Sequence, residues 1–183
     1  MKNMQDDILK VLLSEEEIAE KVQEIGAQIT KDYQDKNLLM VSVLKGSVVF
    51  MADLMRAVDC HARIDFMSVS SYGCGTTSSG NIHVAKDLNS DIAGRNVLIV
   101  EDILDTGNTL HQLTAMLKER NPASLKVCVL LDKPARREKA VEADLAGFVV
   151  PDEFVVGYGL DYAQMYRNLP YIGVLKPALY EHT

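Results

Sequence analysis

Three carboxylates, Glu101, Asp102 and Asp105, crowd the end of the apolar run Val97–Val100, within the string Val-Leu-Ile-Val-Glu-Asp-Ile-Leu-Asp-Thr-Gly-Asn-Thr at 97–109. Acidic groups at the carboxyl end of a buried strand are costly unless they meet cations or hydroxyls. The turn from Asp105 through Thr106, Gly107 and Asn108 to Thr109 offers hydroxyls and backbone N–H groups just ahead of a helical pattern. Such a turn is a seat for a phosphate. A carboxylate pair that accepts from vicinal hydroxyls, set beside a phosphate seat, suits a phosphorylated sugar.

Other polar groups fall at comparable places. The nearly continuous apolar run Leu38–Leu44 stops at Lys45-Gly46-Ser47, and 48–58 resumes with helical spacing. That order puts backbone donors and a cation at a strand's carboxyl end. The apolar run 125–131 delivers Asp132-Lys133-Pro134 to the same edge, with Arg136 and Arg137 close behind. Further on, Phe154-Val155-Val156-Gly157-Tyr158-Gly159-Leu160-Asp161-Tyr162 joins an aromatic ring, glycines and a lone carboxylate.

The string 97–109 resembles the signature of the type I phosphoribosyltransferases, which bind phosphoribosyl pyrophosphate (PRPP). In the form Val-Glu-Asp-Ile-Leu-Asp-Thr-Gly it is most similar to the hypoxanthine-guanine members. The likeness covers nearly the whole chain, most specifically from Lys45 to Arg167. It implies purine salvage, in which PRPP and hypoxanthine or guanine give IMP or GMP plus pyrophosphate, with Mg2+ as cofactor. By the resemblance, Asp105, Thr106, Gly107, Asn108 and Thr109 cradle the 5′-phosphate, and Asp105 also manages the purine N7 proton. Glu101 and Asp102 hold the ribose hydroxyls and the metal. Lys45, Gly46 and Arg167 meet the pyrophosphate, the Lys45-Gly46 turn often through an unusual cis peptide. Lys133 donates to the exocyclic oxygen of a 6-oxopurine, Phe154 stacks on the base, and the Val155 backbone and Leu160 lie along it. Asp161 serves the metal or the 2-amino group. The small-residue-rich stretch 71–81 corresponds to a lid with Ser71 and Tyr72 as its shielding residues. Asn108 is a departure, since relatives often carry Lys or Arg there, and it removes a cation near the phosphate. The family also implies a homodimer or homotetramer.

Two alternatives belong beside this reading. One is a transferase preferring adenine or xanthine, although a lysine donor at 133 suits a 6-oxo acceptor better than a 6-amino group. The other is a nucleotide-sensing regulator on the same fold that binds RNA or DNA without catalysis. The chain shows no basic stripe or appended DNA-binding module to favour it.

The elements that must position these residues are legible as patterns. Ser14 and Glu17 form a capping box with Leu13 and Ile18 as its staple, and Ile18, Val22, Ile25 and Ile29 recur at helical spacing to about Tyr33. The strand at Val97 is expected to stop at the two carboxylates. Residues 64–70 and 82–86 alternate as strands, 110–117 reads as a helix ended by Asn121-Pro122, and 171–175 reads as a last strand. Apolar strands alternating with helical patterns predict an α/β fold with a mainly parallel central sheet flanked by helices. The expectation is a single domain over 1–183. The first helix and residues from roughly 150 to 183 should cover an edge as a small hood.

The bulk numbers agree. At 183 residues, 48% apolar and 25% charged, the composition is that of a globular protein. A net charge of −7 argues against general nucleic-acid binding. It also means that an anionic substrate would need Mg2+ and local donors rather than global steering. No apolar run approaches the ~20 residues of a membrane span, and the acidic start lacks the order of a signal peptide, so a cytoplasmic protein is expected. Cys60, Cys74 and Cys128 are too scattered for a disulfide framework or zinc-ligand spacing, and the histidines form no metal cluster.

Overall fold

Leu38–Leu44 forms strand β2, and its side chains divide between two apolar layers. Leu38 and Met40 enter one with Phe50, Leu98 and Leu130. Leu39, Val41 and Val43 enter the other with Ile99, Leu113 and Val129. A strand buried on both faces reads as a continuous apolar run. The structure is a computed structural model that describes residues 3–71 and 82–181.

In chain order the further elements are β1 (Ile8–Leu13), α1 (Glu15–Tyr33), α2 (Val48–Ala57), β3 (Ala62–Ser71), β4 (Ile82–Lys86), β5 (Asn96–Leu104), α3 (Asn108–Lys118), β6 (Ser124–Asp132), β7 (Leu145–Val149), β8 (Val155–Val156) and β9 (Ile172–Leu175). A six-stranded sheet has the order β4-β3-β2-β5-β6-β7, parallel throughout except for β3 with β4. The mainly parallel α/β expectation holds. The carboxyl ends of β2, β5 and β6 therefore lie side by side, where an open α/β sheet binds ligands.

One expectation needs correction. β5 does not stop at the carboxylates, because its ladder with β6 runs on through Glu101↔Val129 and Ile103↔Leu131 to Leu104↔Asp132. Helix α1 packs through Ile18, Val22, Ile25, Ile29 and Tyr33 into a layer that holds Phe50 and Leu130 of the main body together with Val155, Leu160, Ile172 and Val174 of the late segments. β1 also joins the late segments; it is absent from the expected strands because Leu9, Lys10 and Val11 are exposed. A second, three-stranded antiparallel sheet has the order β1-β9-β8, with Ile8 opposite Leu175 and Val155 opposite Val174. No helix among the described residues is long and apolar enough to cross a membrane.

The expected capping box is present: Ser14 Oγ accepts from the Glu17 N–H at 3.2 Å, and Glu17 Oε2 accepts from the Ser14 N–H at 2.8 Å. Ser14→Ala is expected to lower the unfolding free energy by about 1 kcal/mol, measurable as a shifted urea midpoint at unchanged slope.

Candidate active site

The turn after β2 is pinned from below. The buried Ser42 and Ser47 hydroxyls lie 2.7 Å apart, and Ser47 Oγ donates to the Val43 carbonyl at 2.6 Å. Above them the Leu44–Lys45 peptide is cis. A Cβ added to Gly46 would fall 1.7 Å from Asp102 Oδ2, and one on Gly159 would fall 2.0 Å from the Gly46 carbonyl oxygen. Gly159, at φ +101°, also adopts a backbone that L side chains rarely take. The Asp102 carboxylate, the Gly46 turn and the Gly159 strap thus touch without intervening side chains.

Glu101 and Asp102 project from the last part of β5. Burial pushes the Glu101 carboxyl well up, helped by the charge of Asp102. Burial likewise lifts Asp102 from 3.8 to about 6, against the Ile103 N–H that donates to its Oδ1 at 2.7 Å and the field of Arg167. Asp161 adds to the rise in Asp102, so these two carboxylates feel each other across the site.

The segment after β5 forms a braced turn. Gly107, at φ 82°, precedes α3, whose N-terminus has no side chain from Gly107 to cap it. Thr106 Oγ1 accepts from the Asn108 N–H at 3.3 Å. The Thr106 carbonyl accepts from the N–H groups of Glu138 at 2.9 Å and Lys139 at 3.2 Å. Arg137 donates to the carbonyls of Leu104 at 3.2 Å and Asp105 at 2.8 Å and pairs with Asp132. The Asn108 amide is turned to Glu138 Oε2 at 2.7 Å, so a carboxylate lies beside this position. Thr109 lies in the first turn of α3. Asp105 Oδ1 is buried and accepts no hydrogen bond, with Arg136 Nε 3.5 Å away. A carboxylate oxygen in that state gains most from a protonated partner.

Lys133 follows β6 and is 5% exposed, its Nζ donating to the Glu153 carbonyl at 2.8 Å and lying 3.6 Å from Asp152. Phe154 precedes β8, its carbonyl accepting from the Leu175 N–H at 2.9 Å, while Val155 and Leu160 are buried. Arg167 clasps the strap: it donates to the Gly159 carbonyl at 2.7 Å and pairs with Asp161 at 2.7 Å. Gln164 links Lys45 Nζ at 3.2 Å, Arg167 at 3.3 Å and, through its own N–H, Asp161 at 2.8 Å. Of the expected lid, the backbone of Ser71 closes β3, and Tyr72 lies outside the described residues.

Sequence reasoning missed Gln164, Gly159, Glu138 and the bracing role of Arg137. The positive-φ run at Tyr158, Ala163, Gln164 and Tyr166 shows why: an irregular strap has no periodicity to read. Among the described residues no group of three or more His, Cys, Asp or Glu converges as a ready-made metal site. Glu101, Asp102 and Asp161 are hard oxygen donors, and Mg2+ is commonly held by one or two carboxylates together with substrate oxygens and water. The residues present fit that ion.

Residues 9–163 match the phosphoribosyl transferase domain family, and the chain belongs to it. Among its relatives is the hypoxanthine-guanine phosphoribosyltransferase of Bacillus subtilis, 56% identical over 178 residues that cover 97% of this chain and 99% of that one. The bifunctional protein TilS/HprT of Listeria innocua is also 56% identical over 97% of the chain, which spans 28% of its length. A crystal structure of a hypoxanthine phosphoribosyltransferase from Staphylococcus aureus superposes with a TM-score of 0.94 at 55% identity, covering 97% of this chain and 96% of that one.

Because the raised Asp102 carboxyl must ionise in a buried place, the stability tied to it is fully present below about pH 4 and lost as pH rises through about 6. Asp102→Asn is therefore expected to raise the unfolding free energy by about 2 kcal/mol at pH 8 and by much less at pH 4, as read by urea denaturation at the two pH values.

Proposed function

We propose that this chain carries out purine salvage, transferring the 5-phosphoribosyl group of PRPP to hypoxanthine or guanine to give IMP or GMP and pyrophosphate. The observation that carries the reading is the meeting, at the carboxyl ends of neighbouring strands, of a carboxylate pair, a braced N–H-rich turn, a lysine-glycine turn and a buried lysine. Each suits one part of the two substrates. Thr106 to Thr109 hold the 5′-phosphate through backbone donors and hydroxyls. Glu101 and Asp102 accept from the ribose hydroxyls and stabilise the cationic ring that develops at C1′. Lys45, the Gly46 backbone and Arg167 face the pyrophosphate.

On the base side, Lys133 donates one of its three N–H groups to the Glu153 carbonyl and retains donors for a 6-oxo group. Phe154 stacks on the purine, and Val155, Leu160 and Asp161 line its edge. As a purine nitrogen bonds to C1′, the pyrophosphate leaves with the electron pair of the broken C–O bond. The N7 proton passes to Asp105, a reading supported by its Oδ1 having no hydrogen-bond partner among the described residues. Glu101, Asp102 and Asp161 would hold Mg2+, which would supply positive charge against the departing pyrophosphate. The same reading makes residues 1–183 one domain with the small sheet as its hood and Ser71 and Tyr72 on its lid. It places the protein in the cytoplasm as a homodimer or homotetramer.

A parallel assay of hypoxanthine, guanine, xanthine and adenine with PRPP should give Mg2+-dependent product from the first two and little from adenine. Adenine preference would overturn the role of Lys133, and tight nucleotide binding without turnover would favour a regulator. Asp105→Asn should lower kcat by roughly 10²–10⁴-fold with an unchanged melting temperature. Near-normal kcat would remove Asp105 from proton transfer.

A further inference from the structure

Three aromatic rings from separate parts of the chain meet at the small sheet. Phe154 and Tyr180 stack with centroids 4.8 Å apart and planes 24° from parallel. Tyr162 stands edge-on to Phe154 at 5.7 Å and 88°, and lies 6.5 Å from Tyr180. Tyr162 and Tyr180 pack against the cluster of Val156, Tyr166, Leu169 and Leu175 that forms the interior of this sheet. Phe154, in contact with both of these rings, remains 37% exposed. Tyr180 thus covers one face of the Phe154 ring, and the ring stays partly open.

The segment that brings Tyr180 there is anchored. The Lys176 N–H donates to the Asp7 carbonyl at 3.0 Å, and the short helical turn Pro177–Leu179 ends with the Tyr180 N–H donating to the Pro177 carbonyl at 3.1 Å. The backbone of Phe154 is fixed as well, through Leu175 on one side and the Lys133 bond to the adjacent Glu153 carbonyl on the other.

We propose that Tyr180 is a positioning residue for the purine base: its ring backs Phe154 and holds the plane on which the base stacks. The inference rests on the reading of Phe154 as the stacking residue. An unbacked phenyl ring on a half-exposed segment samples several rotamers, and a base that stacks on it must freeze that motion. Ring contact with Tyr180 and Tyr162 supplies the order beforehand, which favours binding by preorganisation. The contribution falls on the base, because the contacts given for Tyr180 are with Phe154, Tyr162 and the cluster of the small sheet.

The test is steady-state kinetics of the whole chain with hypoxanthine and PRPP, varied separately, for wild type, Tyr180→Ala, Tyr180→Leu and Tyr180→Phe. Tyr180→Ala and Tyr180→Leu should raise KM for hypoxanthine roughly three- to tenfold, with KM for PRPP and kcat near wild type. Tyr180→Phe, which keeps the ring, should keep the wild-type KM. Tyr180→Leu retains apolar volume in the sheet and carries the test if the alanine variant does not fold. An unchanged hypoxanthine KM in the ring-less variants overturns the proposal. A lowered one overturns it too, by showing that Tyr180 stands in the place of the base. A parallel rise in both KM values marks general loosening and also overturns it. Wild-type protein that fails to convert hypoxanthine overturns the salvage reading and this proposal together, whereas wild-type turnover with any of the contrary variant results overturns this proposal alone.

Discussion

The site depends on a contact that leaves no room for a side chain. Asp102, the Gly46 turn and the Gly159 strap meet so closely that a single Cβ at either glycine would collide with its neighbour. Asp102 belongs to the central sheet, Gly46 to the strand beside it, and Gly159 to the segment between the strands of the small sheet. The glycines thus set how near the two sheets can come. Arg167 locks the junction through the Gly159 carbonyl and Asp161, and Gln164 extends the same network to Lys45. The cation-bearing side chains at this end of the cleft are oriented by a backbone contact made elsewhere.

That geometry carries an electrostatic cost. Glu101 and Asp102 sit beside each other in a place where burial favours their neutral forms. A core selected for stability alone would not put them at the end of its central strand. Retaining them makes sense as preparation for a ligand that brings hydroxyls and a cation, and sites of this kind trade stability for function. The phosphate turn shows the opposite solution. Its carbonyls are taken by Arg137, Glu138 and Lys139, which leaves N–H groups rather than carbonyls at the head of α3.

Much of this was written in local patterns. The double burial of Leu38–Leu44, the capping box at Ser14 and the helix after Thr109 followed from periodicity and cap chemistry. The strand-end position of Lys133 followed from where its apolar run stops. The continuation of β5 past Glu101 was not legible, because the β6 ladder that sustains it lies outside the string. Strand β1 hid behind exposed Leu9 and Val11, and its partner stands far along the chain. Gln164 and Tyr180 could not be found from their neighbours in sequence. Their roles come from long-range contacts with Lys45 and Phe154.

The pairing of β1 with β9 has a consequence for how the molecule comes into being. All strands of the central sheet have been synthesised once Val149 is made, whereas the small sheet needs Ile172–Leu175 before Ile8–Leu13 has a partner. During translation, which proceeds from the N-terminus, the carboxylates and the turn of the central sheet can assemble while the first strand still waits. The carboxylates at the end of β5 are then older, in the life of each molecule, than the small sheet beside them.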